Sequence, residues 1–136
     1  DYESNIITYK LTNHPHITEL SKIIKSKFSF TPHVVNTFSG LMCTSHILLK
    51  GKITKKEIMK KYKTFYKNTM TKIVDTIPST KNVTEKPYCL LGGFEIDKNN
   101  KLVVISVIDN LYKGAASQAI ENMNLMFGLK NCEGLI

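Results

Sequence analysis

At 136 residues with 42% hydrophobic content, the chain has the length of one domain and enough apolar residues for a single core. Its formal charge of +8 rests on 19 basic residues, all of them lysines, which excludes bidentate guanidinium recognition of phosphate. No apolar run reaches the roughly 18 residues that a bilayer span needs, and three widely spaced cysteines, Cys43, Cys89 and Cys132, predict buried thiols in a reducing compartment and argue against a disulfide framework or a zinc site.

Pro15 suits the first turn of a helix, and Ile17, Leu20 and Ile24 repeat at helical spacing, so a short helix is predicted to about Lys25 with His14 and His16 at its entrance. Residues 28–31 alternate apolar with polar and halt at Pro32, predicting a strand end, and residues 41–49 form a second strand closed by Gly51. Thr54-Lys55-Lys56-Glu57 has the spacing of a capping box, with Ile53 and Ile58 as its hydrophobic staple. Beyond it Ile58, Tyr62, Phe65 and Tyr66 form one apolar stripe opposite Lys56, Lys60, Lys63 and Lys67, giving a surface helix to about Lys67. The lysine run is thus the solvated face of a helix rather than a nucleic-acid footprint.

Residues 72–77 are predicted as a short strand and residues 78–87 as an irregular loop. Residues 89–97 and 102–108 flank the polar turn Lys98-Asn99-Asn100 as an antiparallel hairpin. Val103, Val104, Ile105, Val107 and Ile108 place its second strand in the middle of the sheet, and Gly92-Gly93 marks a bulge or a close approach in the first. After the polar junction Asp109-Asn110, a helix carries Ala115, Ala116, Ala119, Ile120, Met123 and Phe127 and ends at Gly128. The order α-β-β-α-β-β-β-α defines an α+β domain over residues 1–136, with a mixed, largely antiparallel sheet and helices on one face.

Two constellations carry chemistry. His14 and His16 flank Pro15, and Glu19 lies three residues further on, near enough to orient an imidazole. An imidazole titrating near about 6.5 suits proton transfer at neutral pH. The residues alone leave surface or capping histidines as the more ordinary reading, and metal ligation lacks a third ligand at useful spacing. His33 and His46 read as hydrogen-bonded structural histidines. The Asp109-Asn110 junction gathers a carboxylate, an amide, the Lys113 ammonium and the backbone N–H groups near Gly114, suited to an amide-bearing or anionic ligand or simply to capping the turn. With neither G-x-G-x-x-G nor G-x-x-x-x-G-K-[ST], and no cysteine beside a glycine-rich turn, the chain is not expected to bind a dinucleotide unaided or to supply a nucleophile.

His14-Pro15-His16-Ile17-Thr18-Glu19-Leu20 resembles the H-x-H-x-x-E-[IL] segment of N-acetyl-γ-glutamyl-phosphate reductases, and Asp109-Asn110-Leu111-Tyr112-Lys113-Gly114-Ala115-Ala116 resembles their D-N-L-x-K-G-A-A segment. Phe30-Thr31-Pro32-His33 is similar to the family's F-T-P-H, and Gln118, Asn122, Asn124, Leu125 and Gly128 continue its Q-x-x-x-N-x-N-L-x-x-G tail. Aspartate-semialdehyde dehydrogenases carry a similar D-N-L turn and are the alternative; a basic nucleic-acid-binding module is the reading from another class. The resemblance implies the fold of the C-terminal domain of glyceraldehyde-3-phosphate and semialdehyde dehydrogenases. It also implies a homo-oligomer and an upstream Rossmann domain bringing NADP and the nucleophilic cysteine, so that the fragment alone is inactive.

By the same resemblance a thiolate attacks the acyl phosphate of N-acetyl-glutamyl 5-phosphate, phosphate leaves, and hydride from NADPH gives the semialdehyde, a step of arginine biosynthesis. His14 and His16 would manage protons, Glu19 would orient one of them, Asn110 would approach the nicotinamide carboxamide, Gly114 would leave room for close approach, and Lys113 would support the anionic substrate or the turn. Thr18 stands where family members often carry proline, which here has moved to Pro15. Residues 61–77 and Gly92-Gly93-Phe94 look closer to fungal-type reductases, which are mitochondrial and often fused behind an acetylglutamate kinase. The matrix is therefore the expected compartment, with the cytoplasm as the alternative.

Overall fold

A computed structural model describes residues 5–136. They fall into two compact units, residues 5–38 and Ser39–Ile136. In the first, strand β1 (Ile6–Thr8) is followed by helix α1 (Pro15–Ile23) and strand β2 (His33–Val35). β1 and β2 pair antiparallel, Ile6 opposite Val35 and Thr8 opposite His33. The strand expected before Pro32 therefore lies after it: proline has no N–H to give a ladder but can precede one, and Val34-Val35 supply the β-branched residues. β1 itself was not predicted, because three residues are too few to show a period. α1 stops at Ile23, short of Lys25, where Ile24 turns to an extended conformation while its N–H still reaches the Leu20 carbonyl at 2.7 Å.

The second unit is built on a four-stranded sheet in the order β3-β6-β5-β4. These are β3 (Leu41–Leu48), β4 (Thr71–Ile73), β5 (Cys89–Ile96) and β6 (Lys101–Ile108), with helix α2 (Lys55–Phe65) between β3 and β4. β6 pairs antiparallel with both β3 and β5, and only β4 runs parallel to its neighbour, so the sheet is mixed and largely antiparallel. The apolar β6 is interior, as its composition predicts. Period-two alternation sends Leu102 and Val104 to one side, where they meet Leu91 and Phe94 of β5 and Ile58 of α2, and sends Val107 to the other, against Leu90 and Val83. Tyr62 of α2 closes edge-on over Phe94 at 5.0 Å.

The capping box forms as predicted: Thr54 Oγ1 accepts the Glu57 N–H at 3.2 Å and the Glu57 carboxylate accepts the Thr54 N–H at 2.8 Å. The hydroxyl and then the backbone N–H of Thr54 hold the Glu57 carboxyl below its ordinary pKa. α2 ends at Phe65 rather than Lys67, Asn68 following in the left-handed region at φ 63°. Phe65 is exposed instead of joining the core stripe, stacked edge-on to Tyr66 at 5.0 Å. The bulge also lies where predicted, with the β5–β6 register shifting between Gly92 and Glu95. A Cβ at residue 92 would sit 2.3 Å from the Thr76 carbonyl oxygen, so no other residue fits the bulge.

Further expectations are corrected. The strand predicted over residues 72–77 is only Thr71–Ile73, and the loop beyond it contains a 3₁₀ turn, Thr80–Val83, whose Val83 is fully buried. The last helix divides into a π-type turn, Tyr112–Ala116, and α3, Ser117–Met126. The side of α3 that this chain buries is polar: Ser117, Glu121 and Asn124, at i, i+4 and i+7, while Ile120, Met123 and Phe127 are exposed. The cysteines are all free, Cys43 exposed on the outer strand β3 and Cys89 and Cys132 half-buried.

Candidate functional site

The first candidate is the entrance of α1. His14 is its N-cap, and Nδ1 of that ring accepts the His16 N–H at 3.2 Å, with Pro15 in the first turn where a missing N–H costs nothing. Asn13, in the left-handed region at φ 57°, turns the chain into the cap. With Nδ1 engaged as acceptor, the neutral His14 ring carries its proton on Nε2. The ring is 8% exposed and edged by Tyr9 at 5.6 Å, Phe30 at 5.3 Å and His16 at 4.7 Å. The capping role that sequence spacing allowed is therefore real, and it belongs to His14. His16 is exposed, its ring set against His14 and Phe30. Glu19 is exposed too, and among the described residues it makes no hydrogen bond or ion pair with either ring.

The second candidate is the junction that follows β6. Asp109, 1% exposed, accepts four hydrogen bonds: Leu111 N–H at 2.8 Å and Tyr112 N–H at 3.2 Å on Oδ1, Glu85 N–H at 2.9 Å and the Ser39 hydroxyl at 3.2 Å on Oδ2. Burial pushes its carboxyl pKa up, but the N–H groups of Glu85, Leu111 and Tyr112 and the Ser39 hydroxyl together outweigh burial and hold it below the usual range. Asn110 Oδ1 accepts the Gly40 N–H at 2.6 Å, which fixes the side-chain amide and turns its Nδ2 hydrogens the other way. Gly114 donates its N–H to the Asp109 carbonyl at 2.9 Å and Ala116 to that of Leu111 at 3.2 Å, the i to i+5 spacing of the π-type turn, a form that recurs at functional sites.

Lys113 is paired with Glu121, their side chains 11% and 8% exposed. Its charge is thus met inside the chain by a carboxylate of α3. Gly114 is not in the left-handed region, and a Cβ there would make ordinary contacts with Asn110 Cβ and Ile108 Cδ1, both at 3.5 Å, and with the Asp109 carbonyl oxygen at 3.6 Å. Neither backbone conformation nor the chain's own packing demands a glycine at that place.

Ser39, Gly40, Glu85 and Glu121 were missed by sequence reasoning. The Ser39 and Gly40 bonds join residues 70 apart and the Glu85 bond residues 24 apart, separations that leave no local signal. Phe30 could have been found, since it opens the Phe30-Thr31-Pro32-His33 match. His33 and His46, expected as hydrogen-bonded structural residues, are exposed on β2 and β3. Burial raises the Cys89 thiol pKa despite the opposing charge of Lys113 and the Val107 backbone, which makes it a poor nucleophile. The lysine face of α2 is exposed, with Lys55 paired to Glu95 and Lys63 to Asp75. Among the described residues no helix is long and apolar enough to cross a membrane, and no three His, Cys, Asp or Glu side chains are grouped to hold a metal ion.

Residues 1–110 match the family described as semialdehyde dehydrogenase, dimerisation domain, and the chain belongs to that family. It is similar to the N-acetyl-gamma-glutamyl-phosphate reductases of Methanocaldococcus jannaschii, at 44% identity over 96% of this chain and 40% of that protein, and Methanococcus vannielii, at 42% over 96% and 41%. Among solved structures, aspartate semialdehyde dehydrogenase from Francisella tularensis superposes with a TM-score of 0.68 at 18% identity, over 92% of this chain and 40% of the other. Aspartate semialdehyde dehydrogenase II from Vibrio cholerae gives 0.61 at 21% identity, over 71% and 30%. At such identities the structures establish the fold alone. The chain spans about two fifths of the length of the reductases it matches.

Proposed function

We propose that this chain is the substrate-side and dimerisation part of an enzyme that reduces N-acetyl-glutamyl 5-phosphate to N-acetyl-glutamate 5-semialdehyde with NADPH, in arginine biosynthesis. The observation that carries the reading is 44% identity to a reductase of that name over 96% of the chain. A nicotinamide cofactor supplies hydride in such a reaction. Two features of the chain suit its nicotinamide end: an asparagine amide whose Nδ2 hydrogens are turned away from its own bonded Oδ1, and a glycine one turn on that nothing in the chain itself requires. Asn110 Nδ2 would hold the carboxamide and Gly114 would admit its approach. The chain has no arginine and no glycine-rich loop for the phosphates, which a Rossmann part would bind.

His16, exposed beside Phe30, is the group proposed to take the proton of the attacking thiol and return it at the substrate oxyanion. His14 spends Nδ1 on the helix entrance and so fixes the backbone from which His16 projects. The thiol is proposed to come from outside this chain, since Cys43 lies in a strand and Cys89 is held protonated by burial. A second copy of the chain is the proposed partner, supported by the family's description and by Leu41, Met42, Ile47 and Leu48 standing exposed on β3. Sedimentation of the full-length protein as a monomer would contradict that.

In the full-length protein, NADPH oxidation is expected with acetylglutamyl phosphate and not with aspartyl phosphate; turnover of aspartyl phosphate alone would move the chain to the aspartate-semialdehyde branch. The chain by itself is expected to be inactive with either. The mitochondrial matrix is proposed as the compartment on the fungal-type likeness of residues 61–77 and of Gly92-Gly93-Phe94, and fractionation of the source cells tests it.

A further inference from the structure

We infer that Asp109 is a positioning residue for Asn110, holding the side-chain amide in the one orientation that presents Nδ2. The inference rests on the proposed contact between Asn110 and the nicotinamide carboxamide. An asparagine amide is nearly symmetric in shape, and what chooses its orientation is the donor or acceptor it meets. Here that partner is the Gly40 N–H, 2.6 Å from Oδ1; a flipped amide would set donor against donor.

Gly40 is in turn held from both sides. Its neighbour Ser39 donates its hydroxyl to Asp109 Oδ2, and a Cβ at Gly40, where φ is +115°, would sit 2.7 Å from Thr80 Cβ. Thr80 opens the 3₁₀ turn, and just beyond that turn Glu85 donates its N–H to the same carboxylate oxygen as Ser39. Glu85 is a non-glycine residue in the left-handed region, at φ 55°, a conformation that L side chains disfavour and that its bond to Asp109 helps to hold. On the other carboxylate oxygen the Leu111 and Tyr112 N–H groups fix the backbone on the far side of Asn110.

One buried carboxylate therefore ties together the loop that orients the amide, the turn that wedges that loop, and the main chain that carries the amide. Only a carboxylate offers two acceptor oxygens to four donors. An asparagine at residue 109 would turn an NH₂ group toward N–H donors and release one pair of them.

The test uses the full-length enzyme with two readouts besides activity: hydrogen exchange at the Gly40 amide, and equilibrium binding of NADPH. Asp109→Asn is expected to speed Gly40 exchange by about tenfold and to weaken NADPH by about fivefold, with the acyl-phosphate KM unchanged within about twofold. Asn110→Ala is expected to weaken NADPH by about tenfold, and the double variant to bind no more weakly than Asn110→Ala. Ser39→Ala, which removes one donor and spares the carboxylate, is expected to shift both readouts the same way by about two- to threefold, and carries the test if Asp109→Asn does not fold. If Asn110→Ala weakens NADPH while the folded Asp109 and Ser39 variants leave both Gly40 exchange and NADPH affinity unchanged, the positioning role is overturned. Unchanged affinity in Asn110→Ala overturns the nicotinamide contact itself, and the inference with it.

Discussion

The entrance of α1 and the junction after β6 are both polar turns at the start of a helical segment, yet they are held in opposite ways. At the first, the decisive bond joins residues two apart and the group proposed for chemistry, His16, stands in solvent. At the second, a fully buried carboxylate gathers donors from loops up to 70 residues away, and the proposed contact residue is fixed by one of those loops. A locally closed turn leaves the side chain proposed for proton transfer open to solvent. A turn closed at long range makes its functional side chain a fixed feature of the sheet's end.

The largest expected effect tests the solvent-exposed end. In the full-length enzyme His16→Ala is expected to lower turnover by about 100-fold with folding intact, the usual worth of a general acid–base group. Turnover near wild type would remove His16 from the mechanism. Next comes the buried end: Asp109→Asn is expected to cost about 2 kcal/mol of stability at neutral pH by denaturant titration. Because folding lowers the Asp109 pKa, its contribution is complete above the unfolded value of about 4 and is lost as pH falls below it toward the folded one. The gap between wild type and variant should therefore narrow on acidification below about pH 4, and a gap independent of pH would contradict the charge-based account.

Loss of the His14 cap is smaller. His14→Ala is expected to cost about 1 kcal/mol, and His14→Asn, which restores a capping oxygen, to recover most of it together with turnover. Recovery of stability without turnover would show that His14 also handles a proton. Smallest of all, Glu95→Gln breaks an exposed pair with Lys55 and is expected to change stability by no more than about 0.5 kcal/mol, since solvent screens such pairs.

The same contrast decides what was legible in the sequence. The Thr54–Glu57 capping box, the hairpin of β5 and β6, its glycine bulge and the interior position of β6 all rest on patterns within a few residues, and all are present. The His14 cap was legible as one of the open readings of a local motif. The partners of Asp109 and Asn110 were not, because backbone N–H groups carry no sequence signature. α3 shows a different limit. Its helical period separates two faces but does not say which turns inward, and the polar one does because Glu121 neutralises Lys113 and Asn124 donates to the Asn131 and Glu133 carbonyls. Cys43 was misjudged because its apolar neighbours lie on an outer strand and are exposed in this chain.

Asn110 lies two residues beyond the end of β6, an interior strand with neighbours on both sides. Groups rooted in such a strand open only when the whole sheet opens, whereas a short helix entrance frays at little cost. On warming, the enzyme is therefore expected to fail in two stages, losing turnover while NADPH still binds and losing the cofactor only at the melting transition. Heat would thus separate the two proposed parts of the chemistry, proton transfer at His16 and cofactor contact at Asn110.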